Sequence, residues 1–479
     1  MLEIEKTAHY GKRWKLIVLA TCMSWGSLAY GYIASSIGTT IGQPSFLSYM
    51  GQDIAQGGLL SVVVGVFYAG GFVGAILAGP LCDKYGRKWT TFAGSLLTLV
   101  INGVLAGSVN VNMFIAFRFF VDYLKNALQL TNSHRSTILF TVVPVWISEI
   151  VPPKGRGMLV DIHPILINLG YCLASYVGVG FFFVNGNNQQ WRGPIAIGCL
   201  PCVLSLISVP FLPESPRWLL MQGKTNQAWE IVRDLHTSSE VNDEQFALNE
   251  FREMESQIDI DRTLAVGYIE MLRRPSYRKR LIIGSSLIFF LEASGALVIN
   301  NYGTVLYGQL GYNVEQRLHL QAGWVAVGFV VNLAAVLVVD IMPRPWLMTI
   351  GFLGCLLTLI AEAAIQAKFL GTENQAALQA GVAQLYIFVF FYGFFLDGST
   401  FCWKYYIPFM VSTAAACIVV PLTFPDTRNK PLEEIAFLFG EEDNISPALA
   451  TPRSTKDELS ERQGIAAEIE EKQERKVVV

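Results

Sequence analysis

This sequence predicts an all-α membrane protein built from two related halves of about six helices each, with about eleven spans present. Three observations carry that expectation. The 479 residues are 52% hydrophobic and 15% charged, with a mean hydropathy of +0.41, whereas soluble domains carry about a quarter charged residues. Apolar stretches of about twenty residues, the length of a bilayer-crossing helix, recur from Trp14 to the mid-420s. Short charged loops follow several of them, and the second half repeats loops of the first.

Taken in order, the spans fall near 14–35, 58–79, 91–110, 136–149 with an irregular lead-in, 158–183, 192–212, 281–302, 321–341, 346–367, 378–400 and 403–424. Residues 1–13 are a basic N-terminus, 14–212 an N-terminal bundle, and 281–424 a C-terminal bundle that is one helix short. Between the bundles lies a polar linker, 213–280. Its apolar pattern (Ala228, Ile231, Val232, Leu235, then Phe251, Met254 and Ile258) predicts short amphipathic helices at the membrane surface. The tail, 425–479, reads as mostly disordered, with a short helix near Ile465–Gln473. Lys and Arg set the orientation. They fill the N-terminus, alternate loops and the linker, and are absent from 36–57 and 183–191. The N-terminus and the charged loops therefore face the cytoplasm.

Those loops bring opposite charges together at helix ends. Asp83 stands four residues before Arg87, Glu149 seven before Arg156, and Glu214 three before Arg217. Asp340 with Arg344, and Asp426 with Arg428, echo the first and third of these. The middle loop has no copy. Gly79 and Gly86 permit a tight turn between packed helices. Each pair reads either as a link that gates the protein or as a surface salt bridge worth under about 1 kcal/mol. The first span is too long for a cleavable leader. Most of the eight cysteines lie inside spans, no metal spacing occurs, and no cofactor is implied. No phosphate loop or nucleophile constellation occurs, so an enzyme is not expected; no nucleic-acid partner is expected either, and the net charge of −3 says nothing more about partners.

Polar side chains at membrane depth are the candidates for handling a solute. Tyr32 lies in the first span, and Asp161 and His163 open the fifth. The seventh carries Glu292, Ser294, Asn300 and Asn301, and the tenth carries Tyr392 and Asp397. Asp161, His163 and Glu292 can carry a proton, because burial raises a carboxyl pKa and imidazole titrates near neutrality. Asp161 and His163 read equally well as partners in a local structural hydrogen bond. The rings around Tyr392 read individually as packing.

The loop motifs, in this order and spacing, resemble the sugar porter family of the major facilitator superfamily over about residues 15–440, and the chain looks like a fungal hexose or lactose-type permease. The resemblance implies a twelve-helix fold of two six-helix bundles, a midplane sugar site, protons as a possible second cargo, and alternating access by rocking of the halves. It implies a monomer in the plasma membrane with the bilayer as its main contact. The charged loops would then stabilise the outward-facing state. Several family positions differ. The fifth-span glutamine falls at Pro164, the paired seventh-span glutamines at Leu291 and Glu292, a following asparagine at Leu297, and the first-span aspartate of proton symporters at Ile33. A polar insertion, Asp122 to Thr137, interrupts the fourth span, and about forty residues holding the eleventh span are absent between Thr400 and Trp403. A non-transporting nutrient sensor, or an inactive splice or gene-model variant, is the competing reading.

Overall fold

The computed structural model describes residues 13–50, 62–69, 82–123, 137–151, 159–184, 186, 188–236, 241–263, 290, 294–335, 344–369 and 375–396. Within them every regular element is a helix. The first span is α1 (Arg13–Met23) and α2 (Trp25–Gly42), bent by 40° at Ser24. A short α3 (Pro44–Met50) follows, and residues 62–69 are helical. Then come α4 (Arg87–Ala106), α5 (Val111–Tyr123), α6 (Thr137–Ile150) and α7 (Ile162–Phe182). The sixth span joins α8 (Gln189–Ile197), α9 (Cys199–Ser208) and a 3-10 turn, Val209–Phe211. The linker forms α10 (Pro216–Met221), α11 (Thr225–His236) and α12 (Val241–Thr263). The second half supplies α13 (Ala296–Gln309), α14 (Val314–Ala335), α15 (Arg344–Phe369) and α16 (Gln375–Phe395). Six described helices are long and apolar enough to cross a bilayer, and the bent α1–α2 pair makes a seventh. Val100, Ile207, Val330 and Leu357 are more than half exposed on them, which suits a lipid solvent.

Two positions differ from the sequence expectation. The fourth span is wider than 136–149. Phe114 of α5 packs edge-on against Trp191 and tilted against Phe46 near the outer face, while Trp146 and Ile147 of α6 pack with Leu16, Met23 and Val209 near the cytoplasm. Helices of 13 and 14 residues thus serve the two halves of one span. The polar insertion hid the first of them by splitting the apolar run. The linker helices also do not lie with their apolar faces on the membrane. Ala228 and Val232 of α11 pack with Leu219 and Leu220 of α10 and with Phe251, Met254 and Ile258 of α12. The apolar stripes bury one another in a small cytoplasmic bundle.

The spans meet through small residues. Gly31 of α2 rests on the main chain of Ile167 in α7, and Gly170 of α7 rests on that of Leu28, so the two backbones touch where any larger side chain would hold them apart. Among the described residues the halves join through α2 with α13 and through α7 with α14. Thr304 of α13 donates to the Gly38 carbonyl of α2 (3.1 Å), and Val179 of α7 packs on Leu318 and Ala322 of α14. Tyr171 and Cys172 of α7 pack against the core of the second half.

Candidate functional site

The cytoplasmic ends of the first half form a buried charge network. Gly86 adopts φ +85°, a left-handed geometry suited to glycine, and starts α4 there. The exposed N–H groups of that helix start are met by a carboxylate from far along the chain. Arg87 and Lys88 donate their main-chain N–H to Glu214 Oε1 at 2.9 and 3.1 Å. The Arg87 guanidinium then forks onto Glu149, with Nε to Oε2 at 3.0 Å and Nη2 to Oε1 at 2.9 Å. Both side chains of this pair are 8% exposed, whereas Asp83, 3.4 Å from Arg87, is 57% exposed. Trp218 and Gln222 of the linker donate to the Asp83 carbonyl, and Trp146 donates to that of Pro213. Burial holds the Glu214 carboxyl above the ordinary carboxylate range, with the Lys88, Ser215 and Arg87 N–H bonds pulling it back down. Glu214 was expected to pair with Arg217; the contacts found are to main-chain N–H groups, and Arg217 stands half-buried on α10.

A second polar cluster lies between the halves. Asn301 of α13 donates to the hydroxyl of Tyr68 across the divide (2.8 Å) and to the Leu297 carbonyl (2.6 Å). Gln321 of α14 donates to the Asn300 carbonyl at 3.0 Å. Asn300, Asn301 and Gln321 are all buried, and each keeps a side-chain carbonyl oxygen with no hydrogen-bond partner. An unsatisfied buried polar group costs about 1–3 kcal/mol. Two of these acceptors stand on consecutive residues of α13 and the third on α14, whose amide reaches the Asn300 carbonyl, a set suited to a ligand rich in O–H donors.

Comparison with known proteins agrees with this architecture. The sequence profile of the family described as "Sugar (and other) transporter" matches residues 19–403. The chain belongs to this family. An MFS-type transporter of Aspergillus cristatus is 28% identical over 87% of this chain and 91% of its own length. The arabinose-proton symporter of Bacillus subtilis is 26% identical over 78% of this chain and 75% of its own. The solved structure of a major facilitator proton:xylose symporter bound to a bromodeoxyglucose superimposes with a TM-score of 0.74 at 19% identity, covering 89% of this chain and 99% of that one.

Ile33, where the sequence resemblance places the first-span aspartate of proton symporters, lies buried in α2. Here the buried Arg118 of α5 donates to the main-chain carbonyls of Ile33 (3.2 Å) and Ala34 (3.4 Å), with its guanidinium 4.5 Å from the Phe67 ring. Carbonyl dipoles and a ring face meet this cation where the side chain of residue 33 is apolar. His163 Nδ1 stands 2.7 Å from Ser27 Oγ, tying α7 to α2 across 136 positions rather than within one turn. Asp161 precedes α7 without a side-chain cap bond. Tyr32 is buried and donates to the Pro194 carbonyl (2.9 Å) inside the first half. Ser294 is buried one residue before the left-handed Gly295 that starts α13. Tyr392 stacks on Phe388 in the second core, and Phe390 with Phe394 and Phe391 with Phe395 continue the ring ladder, so these aromatics pack. Arg156, Glu292, Asp340, Asp397 and the 403–424 span lie outside the described residues, as does the Arg344 side chain at the start of α15. The sequence reading passed over Gln321, Arg118 as a structural cation, and Glu362. A lone polar residue in an apolar span was the available signal for each.

Proposed function

We propose that this chain is a carbohydrate permease that works by alternating access and binds its solute between the halves. Asn300, Asn301, Gln321 and Tyr68 offer the polar contacts. The observation that carries this reading is the trio of unpaired amide oxygens in the buried interface between the two halves. A pyranose ring presents hydroxyl donors on several sides and supplies what these acceptors lack. Among the described residues the halves touch where Thr304 meets the Gly38 carbonyl and where Val179 packs on Leu318 and Ala322, and the Arg87–Glu149 network ties the helix ends of the first half together. Among the described residues the bonds of the network lie within the first half and the linker, which differs from a network that locks only the outward-facing state. The family relationship and the named arabinose-proton symporter favour a sugar cargo, with protons as a second one. A monomer in the plasma membrane is the assembly and location that suit such a carrier.

Uptake of labelled hexoses, pentoses and cyclic polyols in cells lacking their own hexose carriers tests the proposal. Two proteins are compared, the chain as it stands and one with the eleventh span restored. Sugar-dependent uptake above empty-vector cells by the restored chain is expected. Absence of uptake by both, with each protein at the cell surface, would contradict the permease reading.

A further inference from the structure

The second half encloses a carboxylic acid that none of the loop motifs or the interface cluster uses. Glu362 is 1% exposed on α15. It lies sixteen residues past Trp346, where the span enters from the cytoplasm, or about 24 Å along the helix axis. That places it in the outer third of the span. Gln366 of the same helix donates to Glu362 Oε1 at 2.6 Å. Oε2 has no hydrogen-bond partner. Gly381 of α16 faces both carboxyl oxygens, and a side chain built there would stand 3.4 Å from Oε2. From α13, the fully buried Tyr307 is within electrostatic reach of Glu362, Tyr386 and Tyr312, and its own hydroxyl is also without a partner.

The neighbouring charges are already committed elsewhere. Tyr386 of α16 donates to the Leu320 carbonyl. Arg317 at the start of α14 donates to the Tyr312 carbonyl. Lys368 of α15 lies over the Phe369 ring at 5.5 Å. Among the described residues no basic group pairs with Glu362. A carboxylate taken out of water without a counter-charge is costly, and the usual escape is to bind a proton.

We infer that Glu362 is a proton-binding site of the second half, held as a neutral carboxylic acid while α13, α15 and α16 close around it. The proton comes from water at the outer face and returns to water when those helices part and the carboxylate is solvated. Protonation supplies an O–H donor on Oε2, within electrostatic reach of Tyr307. Loss of the proton leaves a bare anion between three helices and favours their separation. The step rests on the permease reading only for its use in coupling. The site itself is a property of the fold.

Infrared difference spectroscopy of the full chain in lipid vesicles tests the site without requiring transport. A protonated-carboxyl stretching band that titrates with pH and disappears in Glu362→Gln is expected, and Glu362→Asp should shift the band rather than abolish it. In the same samples the emission of Trp324, which packs in this core and donates to the Leu385 carbonyl, should follow pH with the same midpoint. Its pH response should flatten in Glu362→Gln. An unchanged band in a correctly folded Glu362→Gln would overturn the site. If that variant does not fold, a Glu362→Asp spectrum identical to that of the unmodified chain would do so instead. A band that behaves as expected while labelled sugar uptake shows no pH dependence would leave the site standing and overturn its role in coupling.

Discussion

Arg87 holds three kinds of acceptor at once: a bidentate carboxylate, a main-chain carbonyl and a second, exposed carboxylate. The buried pair with Glu149 is the one that matters for stability, because removing one partner leaves the other charged and dry. Arg87→Ala is expected to cost about 3–5 kcal/mol, read as a lowered thermal unfolding midpoint in detergent. Asp83→Asn, at the exposed end of the network, should cost about 1 kcal/mol or less. Equal losses in the two variants would show that burial does not set the strength of these links. Glu214 gives a pH prediction of determined sign. Burial raises its carboxyl, so its contribution to stability is complete below the ordinary carboxylate value and is lost as pH rises through the raised one. Glu214→Gln keeps an acceptor for the Arg87 and Lys88 N–H groups and removes the titration. Its unfolding midpoint should therefore change less between acid and neutral pH than that of the unmodified chain.

The helices were largely legible because hydropathy and length speak directly about bilayer crossing. Spans five, six, nine and ten in the sequence correspond to α7, to α8 with α9, to α15 and to α16. What failed was local in each case. The fourth span was read as short because thirteen residues, 124–136, most of them polar or charged, separate α5 from α6. The linker was read as membrane-facing because an amphipathic stripe does not say whether lipid or another stripe will cover it. The interface cluster was half legible. Asn300 and Asn301 stood out, but the partnership of Gln321 with the Asn300 carbonyl depends on how α13 and α14 cross. Arg118 was passed over, since its main-chain acceptors cannot be named without the fold. The crossing of α2 with α13 gives a test at this level. Gly38 of α2 faces the Asn300 carbonyl so closely that a side chain built there would come within 2.7 Å. Gly38→Leu should hold the halves apart on the outer side. Labelling of a cysteine placed at Thr304 by a membrane-impermeant thiol reagent should rise several-fold, and unchanged labelling would show that this contact does not close the outer face.

For the whole molecule, the described contacts between the halves run through α2 with α13 and α7 with α14, in a chain that belongs to the sugar transporter family. By the resemblance, a segment holding the eleventh span is missing between Thr400 and Trp403, which would set this chain apart from a twelve-helix plan. It makes the side of the tail a measurable property. Asn444 opens an Asn-Ile-Ser sequon about twenty residues past the last apolar stretch. Arg428 and Lys430 follow that stretch and favour the cytoplasmic side, so Asn444 should carry no glycan. A glycosidase-sensitive mass shift that disappears in Asn444→Gln would place the tail on the opposite side.

The interior site can be examined apart from the missing segment, because binding does not require the full cycle. Equilibrium binding of labelled sugars to the purified full chain, compared with Asn300→Leu and Gln321→Leu, is the most direct measurement. Each substitution removes an amide that offers an unpaired buried oxygen. Loss of one such hydrogen bond is worth about 1–1.5 kcal/mol, roughly a ten-fold change in affinity. Saturable sugar binding weakened about ten-fold or more by each variant, with the unfolding midpoint little changed, is the predicted result. Saturable binding of equal affinity in all three proteins would contradict the placement of the solute between the halves.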